Sequence, residues 1–138
     1  MAWPWKNGAG ARTPAGDDDR ARTGRAGEAL AQRYLQARGM RVLERNYRVA
    51  RGRSRQGGEI DLILLDADGT LVFVEVRVRR GAAAGGAAAS IVAAKRASLV
   101  YAAQTYLSGL ERVPPCRFDV VAVDGERVQW LKAAFDAD

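Results

Sequence analysis

Residues 58–79 read GEIDLILLDADGTLVFVEVRVR, and the fold turns on this stretch. Two runs rich in Ile, Leu, Val and Phe flank Asp68-Gly69, the pattern of a β-hairpin. Alternation along each strand puts Glu59 and Asp61 on one face of the first, and Leu71, Phe73, Glu75 and Arg77 on one face of the second. Whether these faces coincide depends on the turn. A two-residue Asp68-Gly69 loop sets Asp61 opposite Val76 and separates the carboxylates. A three-residue loop, Ala67-Asp68-Gly69 with Gly69 left-handed, sets Asp61 opposite Glu75 and Glu59 opposite Arg77. We expect the second register.

The reason is electrostatic. Either register leaves ionised carboxylates beside large aliphatic side chains, a placement that costs several kcal/mol unless a cation or hydrogen bonds compensate. Opposed on one face, at about 5 Å between Cβ atoms, Asp61 and Glu75 can bracket one divalent ion such as Mg²⁺. Arg77, pointing the same way, can hold a phosphate. The alternative is a salt-bridged sheet face, with Glu59–Arg77 a cross-strand pair and Glu75 satisfied by another Arg. Alternation alone leaves both open.

Outward from the hairpin, MRVLERNYRV over residues 40–49 reads as a strand, and RGRSRQGG after it as a basic loop. Upstream, from about Thr23, Ala26, Leu30, Tyr34 and Ala37 recur at helical spacing with Gly39 closing the segment. Downstream, the tract GAAAGGAAAS precedes a second helix capped by Ser90 and running to about Leu110, with Val92, Leu99, Ala103, Tyr106 and Leu110 near one face. Pro114-Pro115 stops it, RFDVVAVDG forms a further strand, and the chain finishes with a short apolar segment around Val128, Trp130 and Leu131. The expected order is α-β-β-β-α-β. A helix between the last two strands implies a parallel pair, hence an α/β fold with a mixed sheet and flanking helices. The Gly-, Ala- and Pro-rich start reads as a disordered arm over residues 1–22, ahead of one domain over 23–138.

The charge is segregated. Of the net +6, residues 20–55 carry +9 and residues 77–96 carry +5, while residues 56–76 between them carry −5. That is either an ordinary set of solvated faces or a polyanion-binding rim around a carboxylate cluster. With no His and a single Cys, Cys116, the chain can build no zinc finger, disulfide, Cys–His pair or Ser–His–Asp triad. Any metal is therefore a hard one on carboxylates, Mg²⁺ or Mn²⁺. No apolar run approaches the ~20 residues of a membrane span, and no signal-peptide core is present, so a cytoplasmic location is expected.

Other candidates have two readings each. Arg45, Arg48, Arg51, Arg53 and Arg55, with Arg79 and Arg80, make a plausible phosphate track. Lys95 and Arg96 either meet a phosphate or are solvated helix charges. Glu28, read as lying in the first helical turn, either complements the helix dipole or approaches a metal. Tyr47 either stacks on a base or packs at the sheet edge. Asp119 reads as structural, and Cys116 as a small core residue or strand-end spectator.

Taken together, GEALAQRYLQARG, RNYR, GEIDLILLD, LVFVEVRVR, the helix containing Lys95, and RFDVVAV, in this order, resemble the YraN-like bacterial family. That family is assigned to the restriction-endonuclease-like superfamily with its PD-(D/E)XK motif. The resemblance spans nearly all of residues 24–123. It implies a nuclease core with Asp61 and Glu75 as metal ligands, Glu28 as a further acidic contributor, Glu59 in the Gly-Glu-Ile-Asp element, and position 77 as the motif's basic residue. The motif ends in Lys, whereas here it ends in Arg77. Arg stays charged, so it can orient water or stabilise phosphorane charge but cannot act as a base; water deprotonation then falls to the metal, which lowers the pKa of bound water, or to a nearby carboxylate such as Glu59. The expectation is a Mg²⁺- or Mn²⁺-dependent nuclease acting on nucleic acid, DNA ahead of RNA. A binding module of the same fold without turnover is the alternative, and a protein that binds partners through its N-terminal arm is a third.

Overall fold

The computed structural model describes residues 15–50, 57–79 and 93–136, with side chains over 24–50, 57–78 and 93–136. The elements are α1 (Ala15–Gln36), β1 (Arg41–Val49), β2 (Gly58–Leu65), β3 (Leu71–Arg79), α2 (Ala93–Ser108), β4 (Cys116–Asp124) and β5 (Arg127–Phe135). They build one mixed sheet in the order β1-β2-β3-β4-β5. Every neighbouring pair is antiparallel except β3–β4, which is parallel and connected through α2, as the expected crossover requires.

The hairpin has the expected three-residue loop. Asp66 N–H donates to Thr70 O at 2.8 Å, Gly69 has φ +90°, and the ladder runs Leu65↔Leu71 to Leu62↔Val74. The turn is reinforced by Asp68, whose Oδ1 accepts from Thr70 N–H at 2.9 Å. Helix α1 ends as its sequence predicts. Gly39 at φ +90° lets Met40 N–H reach Leu35 O and Gly39 N–H reach Gln36 O, and Leu35 and Met40 bury together beyond the stop.

Helices α1 and α2 cover opposite faces of the sheet. Against α1 lie Leu62, Leu64, Val72, Val74, Val121 and Val123. Against α2 lie Ile60, Ile63, Leu71, Phe73, Val120 and Ala122, around Leu99, Ala102 and Ala103. Phe73 sits at the centre of this second layer, packed between Phe118 and Tyr106.

Three expectations need correction. Helix α1 starts at Ala15, eight residues before Thr23, because its N-terminal half carries no apolar stripe for periodicity to detect. The closing apolar segment is a full strand, β5, hairpinned to β4 through Gly125 at φ +62°. Leu110 does not join the α2 face: the helix stops at Ser108, and Leu110 is exposed. Residues 1–14, 51–56, 80–92 and 137–138, and with them the expected basic loop, the Ser90 cap and Val92, lie outside the described residues. No helix among the described residues is long and apolar enough to cross a membrane.

Candidate functional site

Strands β2 and β3 pair only as far as Leu62↔Val74 and then part. The Asp61 side chain closes the fork: its Oδ2 accepts the Val76 N–H at 2.8 Å, standing in for the backbone acceptor that the ladder no longer supplies. Across β2, the register with β1 holds on both sides of Asp61, as Arg45↔Leu62 and Tyr47↔Ile60, yet Leu62 packs toward α1 and Ile60 toward α2. The face switches within a single residue. Asn46, at the matching position of β1, has φ +49°, a conformation that Asn tolerates better than a branched residue.

This switch corrects the sequence reading of Glu59. Strict alternation puts it opposite Arg77; instead it pairs with Arg48 across β1–β2, Nε to Oε2 at 2.6 Å, while its charge still reaches Asp61. Its charge is felt by Glu28 on α1. The expected Glu59–Arg77 register is lost because the ladder has already opened.

Asp61 and Glu75, by contrast, do come together. Both are buried, at 8% and 6% exposure, and their carboxyls lie within hydrogen-bonding reach of each other. Burial and then the Asp61 charge push the Glu75 carboxyl up to about 8, against the pull of Lys95. Burial likewise raises Asp61, opposed chiefly by the Val76 N–H. Lys95 reaches down from α2 to place Nζ 3.5 Å from Glu75 Oε2, while Glu75 Oε1 is buried without a hydrogen-bond partner. Two facing carboxylates offer each other only acceptors, so this oxygen calls for a proton or a cation.

Glu28 lies in the middle of α1, not its first turn, which removes the dipole-capping reading. Burial, then the charges of Asp61 and Glu59, raise its carboxyl to about 7. It borders the fork from the α1 side. Among the described residues, no three carboxylate or Cys side chains form a ready ligand group, so an ion here would rest on Asp61 and Glu75, with water completing its shell.

The close packing of α2 explains the glycine of the GEID element. A Cβ at Gly58 would run into the Ser98 carbonyl oxygen and Ala102. At Gly27, a Cβ would meet Val78, which keeps α1 tight on β3.

Of the Arg track, Arg48 is held by Glu59, and Arg45 is half-buried beside the sheet. Arg51, Arg53, Arg55 and Arg80 lie outside the described residues; Arg79 ends β3 opposite Asp124. Arg77 is half-buried and in register with Ala122, whose side chain faces α2. Tyr47 packs edge-on against Tyr106, a sheet-edge role. Asp119 is structural: it accepts from Arg117 Nε, Trp130 Nε1 and Ala133 N–H. Cys116 opens β4, exposed. Sequence reasoning missed the pairing of Lys95 with Glu75, since nineteen residues, the Gly- and Ala-rich tract among them, separate the two; no local signal encodes it.

A mixed α/β sheet with helices on both faces and buried acidic residues at a strand fork is consistent with a restriction-endonuclease-like core. Residues 27–123 match the uncharacterised protein family UPF0102, and the chain belongs to that family. It is 55% identical over 114 residues to a UPF0102 protein of Methylibium petroleiphilum, covering 83% of this chain and 93% of the relative. It is also 60% identical over 114 residues to one from Paracidovorax citrulli, covering 83% and 82%, and 52% identical over 122 residues to one from Ralstonia pickettii, covering 86% and 93%. These relatives agree with the resemblance read from the sequence.

Proposed function

We propose that the protein is a metal-dependent nuclease that hydrolyses phosphodiester bonds in DNA or branched nucleic acid. The observation that carries this reading is the buried Asp61–Glu75 pair, with one Glu75 oxygen lacking a donor and Lys95 on the other. Asp61 and Glu75 would hold Mg²⁺ or Mn²⁺, which supplies charge stabilisation and a more acidic water. Asp61 is already fixed by the Val76 N–H, so its second oxygen is presented without rotamer search. Arg77, on the Glu75 side of β3, would orient phosphate, and Glu59, whose charge reaches Asp61 although Arg48 pairs with it, would accept a proton.

The test is to incubate purified protein with single-stranded, duplex and branched DNA, with Mn²⁺ or with EDTA. Cleavage should need the cation and fall by ~100-fold or more in Glu75→Gln and Asp61→Asn. Cleavage that survives either substitution overturns the assignment.

Arg77 in the motif's Lys position favours a second reading, a nucleic-acid-binding module without turnover. It predicts salt-sensitive binding and no product with any metal.

A further inference from the structure

Among the described residues, Lys95 is the cation that pairs with Glu75, and its placement is a compromise. At 3.5 Å the ion pair is long, and the Lys95 side chain is 33% exposed while that of Glu75 is 7%. An ammonium has three N–H donors, so a tip that is partly in water can take a further partner from the solvent side. A divalent ion on Asp61 and Glu75 would supply the counter-charge that Lys95 now supplies, and would repel the ammonium at the same time. A phosphodiester drawn to that ion brings the negative charge the displaced ammonium needs, within reach of a flexible four-carbon stem.

Resting on the metal-dependent nuclease reading, we infer that Lys95 is the site's phosphate-contacting cation, held on Glu75 until a divalent ion takes that carboxylate. Cation binding and nucleic-acid binding then reinforce each other, and Lys95 is the link.

Two titrations on the full chain test this. Mn²⁺ is titrated by electron paramagnetic resonance without nucleic acid, and a fluorescein-labelled duplex is titrated by anisotropy in EDTA and in Ca²⁺. Lys95→Met should bind Mn²⁺ ~10-fold tighter, since the competing charge is gone. In the parent protein Ca²⁺ should tighten DNA binding by ~10-fold, and Lys95→Met should lose most of that gain while Lys95→Arg keeps it. Should Lys95→Met fail to fold by circular dichroism, Lys95→Gln replaces it. A lysine that only neutralises Glu75 would also give tighter Mn²⁺ binding on removal, but its loss would leave the Ca²⁺ effect on DNA binding intact. Equal Mn²⁺ affinity in parent and Lys95→Met, or an intact Ca²⁺ effect, overturns the role of Lys95 alone. No Mn²⁺ binding by the parent at millimolar concentration overturns the metal-site reading and this inference with it.

Discussion

Burial raises the Glu28 carboxyl to about 7 and the Glu75 carboxyl to about 8, above the ordinary carboxyl value of 4.5 that applies in an unfolded chain. For a carboxyl raised by folding, the stabilising contribution is present at low pH and is lost as pH climbs through the folded value. The cation-free protein should therefore melt at progressively lower temperature between about pH 5 and 8, as followed by thermal denaturation in EDTA. Glu75→Gln should flatten that slope. A different outcome is expected at Asp119, which is 1% exposed and gathers Arg117, Trp130 and the Ala133 N–H. Asp119→Ala leaves all three donors without their acceptor and should cost ~3 kcal/mol or more in urea denaturation. Both effects depend on burial. The residue types were readable in the sequence, and the structural role of Asp119 was too, because an acid in a run of Phe, Val and Ala has to be paired.

At the scale of elements, the fork between β2 and β3 depends on two local devices. Asn46 at φ +49° permits the change of face; Asn46→Gly should be tolerated, and Asn46→Val should lose about 1–2 kcal/mol. Gly58 lets α2 approach β2, and Gly58→Ala should cost about 1–3 kcal/mol, because the obstructing atoms include a backbone carbonyl rather than the end of a flexible side chain. Urea denaturation checks both. The hairpin register was legible beforehand, since Ala67-Asp68-Gly69 fits a loop with a left-handed glycine and two carboxylates are better grouped than scattered. The change of face was not, because Arg45-Asn46-Tyr47 carries no pattern that distinguishes it from plain alternation. The partner of Glu59 is illegible for that reason and because the β2–β3 ladder opens before reaching it.

Over the whole molecule, the two basic segments flank the acidic one in sequence. If the proposed nucleic-acid interface uses Arg51, Arg53 and Arg55, replacing all three with Ala should make the log–log salt dependence of DNA affinity shallower by about 0.9 for each phosphate no longer neutralised, read by anisotropy over a salt series. Composition by itself excluded zinc fingers, internal disulfides, Cys–His pairs and Ser–His–Asp triads, and hydrophobic patterning with Pro and Gly punctuation specified an α/β chain with a hairpin and a parallel crossover. These are properties of short segments, so a sequence carries them directly. Only the tertiary structure decided that Glu59 answers to Arg48, that Glu28 lies mid-helix beside the fork, and that Lys95 meets Glu75. Those pairings depend on how far a ladder runs before it opens and how closely a helix can approach a glycine, both set by packing between segments distant in the chain.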